Sequence, residues 1–138
     1  MDDVLLKEIF TTYRNIAVYG MSKNPVKPAN MVPSFLYSKG YNIIPINPAA
    51  DSILGKKPYP NLLEVEENID LVEVFRRSKD ALDVVKQAIE RKRTRGDIKA
   101  IWLQSGIINE EGRELAQNEG IRFVQDRCMY TEYLRLME

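Results

Sequence analysis

The sequence predicts a doubly wound, three-layer α/β sandwich of about five parallel strands with helices on both faces. Short apolar runs alternate with helical patterns from one end of the chain to the other, the order that builds βαβ units. The runs themselves, IAVY, NIIPI, DLVEVF, KAIWL and RFV, are apolar almost throughout rather than alternating, as strands covered on both faces are. Each run also ends in a turn carrying small, amide or basic residues, and the carboxyl ends of parallel strands are where such sheets bind ligands.

The elements follow in order. Leu5, Ile9 and Tyr13 recur at every fourth position and Leu6 and Phe10 widen the stripe, so residues 3 to 13 form an amphipathic helix that covers the sheet. Strand one is Ile16 to Tyr19. The next helix carries Val32, Phe35 and Leu36 and stops at Gly40; Pro33 is tolerable in a first turn, which places the start near Ala29. Strand two, Asn42 to Ile46, closes at Asn47-Pro48, and residues 49 to 62, with Gly55, Pro58 and Pro60, form an ordered loop. Strand three is 70 to 75, and Ser78 is placed to cap a helix over Ala81 to Arg93 with Leu82, Val85 and Ile89 inward. Lys99 to Leu103 is strand four, Asn109 caps a short helix ending near Gly120, and Arg122 to Val124 is strand five. Tyr130, Tyr133, Leu134 and Met137 mark a last helix. Trp102 reads as core, together with the Tyr130 and Tyr133 stripe. With no internal repeat and no low-complexity tract, residues 1–138 read as a single domain.

Composition narrows the function classes. A chain of 138 residues can bury a real core without disulfides or metal. Twenty basic and twenty acidic residues cancel, so no global field favours nucleic acid or a membrane surface. One cysteine, Cys128, and no histidine leave a structural zinc site almost without ligands and fit a reducing compartment. The acidic start, MDDVLLKEIF, is unlike a secretory signal and no apolar run reaches membrane-spanning length, so a soluble cytoplasmic protein is expected. Without histidine there is neither a Ser-His triad nor phosphohistidine chemistry, and no P-loop is present. Glu64, Glu66, Glu67, Glu110 and Glu111 read as solvated carboxylates, so the expectation is a protein that is not an enzyme. The basic run RKRTR, 91 to 95, complements a helix dipole and stays wet.

The stretch IAVYGMSKNPVKPAN, Ile16 to Asn30, organises the rest. A strand that opens through Gly20 into a helix presents backbone N–H groups and a positive helix end to one spot, which suits a phosphate. A dinucleotide fold of the NAD type wants G-x-G-x-x-G there and an acid at the end of strand two. Here Ser22 and Pro25 replace the second and third glycines and Asn47 stands where the acid belongs. An NAD(P)-binding Rossmann domain acting as a redox sensor or oxidoreductase component is therefore the weaker alternative. A missing acid suits a ribose that carries its own phosphate, with Lys23, Lys27 and Arg76 as counter-charges, and coenzyme A has such a 3′-phosphorylated ribose beside its diphosphate.

The series VYGMS, GYNIIPINP with Gly55 downstream, IDLVEVFRRS, IWLQSGI and DRC resembles the small single-domain CoA-binding proteins. It is also similar to the CoA-binding domain at the amino end of the succinyl-CoA synthetase α subunit, over roughly residues 14 to 135. The resemblance implies a Rossmann-like CoA-binding domain whose ligand is coenzyme A or an acyl-CoA. It implies that Gly20, Met21, Ser22 and Lys23 line the diphosphate and that Asn47 and Pro48 flank the adenosine. It further implies that Phe75 and Arg76 lie beside the nucleotide and that Gln104, Gly106 and Ile107 border the pantetheine path. Homologous first loops often carry Arg and Ser or Tyr where this chain has Lys27, Pro28 and Ala29. The family gives no catalytic residue to carry over. On this reading a side chain at position 20, as in Gly20→Val, stands against the diphosphate. Cys128 reads either as a small buried hydrophobe or as a thiol able to form a mixed disulfide with that of coenzyme A. A third reading, an assembly role in which a partner or a second copy covers the strand ends, can coexist with ligand binding, and a homo-oligomer stays open.

Overall fold

The computed structural model describes residues 2–138. Five strands, β1 (Asn15–Tyr19), β2 (Asn42–Ile46), β3 (Leu71–Val74), β4 (Ala100–Leu103) and β5 (Arg122–Val124), pair in parallel in the order β2-β1-β3-β4-β5. Five helices accompany them: α1 (Asp3–Thr12), α2 (Pro28–Ser38), α3 (Ser78–Arg95), α4 (Glu110–Asn118) and α5 (Met129–Met137). The predicted α/β sandwich is the fold.

The two-residue period of the strands separates two cores. Ile16, Val18, Leu71, Ala100 and Trp102 face a layer built by Leu6, Ile9 and Phe10 of α1, Val32 and Leu36 of α2 and Met129 of α5. Ala17, Ile44, Val72, Val74, Ile101 and Leu103 face Val84, Val85 and Ala88 of α3, Ala116 of α4, and Leu62, Val65 and Ile69 of the connection before β3. Trp102 is fully buried, as expected; its indole Nε1 donates to the Arg127 carbonyl at 2.7 Å and so ties β4 to the turn before α5. Tyr130 and Tyr133 are half-buried, each edge-on to Phe35.

Three expectations need correction. Helix α2 starts at Pro28, so Pro33 lies past its first turn. A proline there cannot donate to the carbonyl of Ala29, and that carbonyl instead accepts from the Ser22 amide at 3.1 Å, drawing the β1–α2 loop onto the helix. Ser78 is not a cap: Arg77 precedes the helix without a side-chain bond, and Ser78 Oγ accepts from the Ile108 amide at 3.0 Å, joining α3 to the loop after β4. Arg91 is not wet. It is 1 % exposed, paired with Asp97 at 2.9 Å, and donates to the carbonyls of Leu62, Val65 and Glu67 at 2.7 Å each. One guanidinium thus holds a connection that has no helix of its own, while Arg93, Thr94 and Arg95 are exposed as expected. By contrast Asn109 caps α4 as its sequence indicates, accepting from the Gly112 amide at 2.8 Å.

Candidate functional site

Strand order reverses between β1 and β3, because the chain leaves β1 for β2 on one side and returns to β3 on the other. The carboxyl ends of these two strands border the crevice where such sheets take ligands. Gly20 and Phe75 are the residues that leave them, and they touch. Gly20 has φ +87°, and an added Cβ would run into the Phe75 carbonyl oxygen and approach the Arg76 guanidinium. Glycine is required here by the close approach of two backbones. A side chain at position 20 would therefore strike β3 itself, not only a ligand above it.

The β1–α2 loop holds itself in place. The Gly20 amide donates to the Ile46 carbonyl at 3.0 Å and the Ser22 amide is spent on Ala29. Asn30 Nδ2 donates to the Ser22 carbonyl at 2.8 Å, and Ser22 Oγ accepts from the Asn24 amide at 3.1 Å. Among the described residues the Met21, Lys23 and Ala29 amides, the last in the first turn of α2, have no protein partner. These and the helix end are the donors the loop offers an anion. The Met21 side chain is wholly buried and can reach a ligand only through its main chain. Lys23 and Lys27 are exposed beside them.

Asn47 occupies the position where an NAD domain carries an acid. Its Nδ2 donates to the Met21 carbonyl at 2.8 Å while Oδ1 accepts from Ala49 and Ala50, so it clasps the loops after β1 and β2 together. Pro48 is exposed next to it. Arg76 leaves β3 with its guanidinium 5.5 Å over the Tyr19 ring and makes no ion pair among the described residues, whereas Arg77 is paired with Asp80 at 2.8 Å. Lys23, Lys27 and Arg76 therefore remain available as cations around the end of β1.

Beside the ends of β1 and β3 lies a crevice of about 450 Å³, lined by Pro28, Met31, Phe75, Gln104, Ile107 and Cys128 among others. Phe75 also walls a depression with Arg76 and Arg77, and Ser105, Cys128 and Thr131 are shared with another beneath Arg127. The three depressions run together along the carboxyl edge of the sheet. Gly106 belongs to the same rim, its amide donating to Asp126 Oδ1 at 2.7 Å. Cys128 is half-buried at the crevice wall, just before α5, and is not a fully enclosed core residue. A larger hollow of about 680 Å³ lies between α3 and α4, away from the strand ends, and is lined by helix-surface residues such as Lys86, Glu90 and Arg93.

Sequence reading missed one group. Glu73, in mid β3, is 0 % exposed, and burial pushes its carboxyl up to about 8. Its Oε2 accepts from Gln104 Nε2 at 2.5 Å, and its Oε1 has no partner among the described residues. The available signal was the interruption itself, an acid at the centre of LVEV on a strand covered on both faces.

Comparison with known proteins bears on the family and the fold. The model of the CoA binding domain family matches residues 14–133. The chain belongs to the CoA-binding domain family. Among relatives of this CoA-binding domain, the uncharacterized protein YneT of Bacillus subtilis (strain 168) is 36% identical over 124 residues, spanning 90% of this chain and 88% of its own. Acetate–CoA ligase [ADP-forming] II of Archaeoglobus fulgidus is 28% identical over 116 residues, 83% of this chain and 16% of the ligase. A hypothetical protein from Pyrococcus horikoshii OT3 superposes with a TM-score of 0.92 at 35% identity, covering 100% of this chain and 94% of that one. The dinucleotide-forming acetyl-coenzyme A synthetase 1 of Ca. Korarchaeum cryptofilum, solved with phosphate and ADP, gives a TM-score of 0.71 at 27% identity over 88% of this chain and 27% of the synthetase. No helix among the described residues is long and apolar enough to cross a membrane.

Proposed function

We propose that this chain is a coenzyme A-binding module without catalytic activity of its own, taking free coenzyme A or an acyl-CoA at the carboxyl edge of the sheet. The observation that carries the reading is the gathering of three cations that make no ion pair among the described residues, Lys23, Lys27 and Arg76, at the β1/β3 reversal beside an open crevice. The diphosphate meets the Lys23 and Ala29 amides and the start of α2, the 3′-phosphate meets the cations, and the pantetheine arm runs along Phe75, Gln104 and Ile107. Asn47 in place of an acid, and Ser22 and Pro25 in place of glycines, disfavour NAD(P). The absence of histidine, and the enclosure of Glu73 behind Gln104, leave the crevice without an evident general base.

Calorimetric titration and thermal shift with coenzyme A, NADH and NADPH test the assignment. Coenzyme A is expected to raise the melting temperature while the nicotinamide nucleotides do not, since only a ligand preferring the folded state stabilises it. A protein shifted by NADPH and not by coenzyme A would refute it. Arg76→Ala should weaken coenzyme A about tenfold, the worth of one charge-assisted hydrogen bond, and dephospho-CoA less. Equal losses would show that Arg76 does not read the extra phosphate.

A further inference from the structure

A buried acid lies one side chain away from the crevice. Glu73 is in register with Val18 and Trp102 and is enclosed on the face covered by α1, α2 and α5. A carboxyl group there, with one oxygen unpartnered, is worse for the fold than the apolar residue its strand neighbours would accommodate. Among the described residues its one side-chain partner is Gln104, which is itself 4 % exposed and lines the crevice.

The two ends of a glutamine amide have opposite hydrogen-bonding character. Because the acid takes Nε2, Oε1 is the end of the amide left with spare capacity, its partner among the described residues being the amide of the buried Met129 at a long 3.4 Å. A carbonyl oxygen has two lone pairs, so it keeps capacity for another donor. Residues without a hydrogen-bonding end, Pro28, Met31, Phe75 and Ile107, supply much of the surrounding wall.

We infer that Glu73 is a positioning residue that fixes the Gln104 amide so that the crevice presents a carbonyl acceptor to an amide N–H of the ligand. The inference rests on the coenzyme A reading and names the part of the ligand concerned, the pantetheine arm, whose amides carry such donors. Without the acid, the terminal torsion of Gln104 is free to turn and bring Nε2, a donor, against the ligand's own donor.

The test compares coenzyme A with adenosine 3′,5′-bisphosphate, which lacks the pantetheine arm, by calorimetric titration of wild type, Glu73→Leu, Glu73→Gln and Gln104→Met. Glu73→Leu and Gln104→Met should each weaken coenzyme A about tenfold, one hydrogen bond, and leave the bisphosphate unchanged. Glu73→Gln, whose carbonyl still accepts from Gln104, should restore coenzyme A binding, and the Leu and Met changes combined should cost no more than either alone. Glu73→Leu binding coenzyme A like wild type, or losing both ligands equally, overturns the inference and leaves the coenzyme A reading standing. Should Glu73→Leu fail to fold, undiminished coenzyme A affinity in Gln104→Met overturns it alone. Wild type that binds neither ligand overturns both.

Discussion

Replacing Glu73 by glutamine should change how the stability of this protein depends on pH. The carboxyl is raised from an ordinary 4.5 to about 8 by burial, so the folded protein holds a proton between those values that the unfolded chain has released. With fewer protons bound in the unfolded state, stability falls as pH rises across this window and levels off above it. The stabilisation is complete below about pH 4.5 and lost through about 8. At about 1.4 kcal/mol per decade of proton activity, the ceiling is about 5 kcal/mol. The Gln104 amide donates to Oε2 and favours the ionised form, which brings the expected loss to about 3 kcal/mol. Glutamine is the shape of the neutral acid and does not titrate. Urea unfolding from pH 5 to 9 should therefore show wild type and Glu73→Gln close at pH 5, with the variant more stable by about 3 kcal/mol at pH 9. Subtracting one curve from the other removes the surface carboxylates, such as Glu110 and Glu119, whose values are lowered by Arg113 and Arg93 and which act in the opposite direction at acid pH. A difference that stays flat with pH would refute the argument that this acid is held neutral.

Two further substitutions probe the scaffold. Gly20→Ala places a Cβ against the Phe75 carbonyl at a positive φ, and should cost about 3 kcal/mol from strain and overpacking; an unfolding midpoint equal to wild type would show that the strand ends separate freely. Arg91→Met leaves the Asp97 carboxylate buried and unpaired and should cost about 4 kcal/mol. Adding Asp97→Asn should recover part of that loss in the same urea titration, and equal stability of the single and double variants would mean the charge pair is not what is being measured.

The fold was legible because strand identity here depends on apolar runs and turn punctuation, both local properties. All five strands fall within a residue of their expected limits, and Asn109 caps its helix as placed. What could not be read locally was the fate of polar groups whose partners lie far along the chain. Ser78 has the residue type of a cap, yet its hydroxyl is taken by Ile108, thirty residues away. Arg91 sits in a basic run that looks solvated, and only the return of residues 62 to 67 and Asp97 around it makes burial favourable. At the candidate site, the sequence placed Gly20, Arg76, Gln104 and Ile107 along one edge, and the sheet order brings them there. Asn47 closes strand two as its residue type suggests, and its amide is occupied by main-chain groups of both loops. Glu73 escaped notice because a single acid within an apolar run has no periodicity of its own.

Arg91 grips the segment before β3 through carbonyl oxygens and not through side chains. Every residue type supplies that oxygen, so the identities of Leu63, Glu64 and Glu66, all exposed, are uncoupled from the grip. This strip of surface can be rewritten, by natural drift or by grafting of a recognition sequence, while the strand it leads into keeps its register and the carboxyl edge of the sheet its shape.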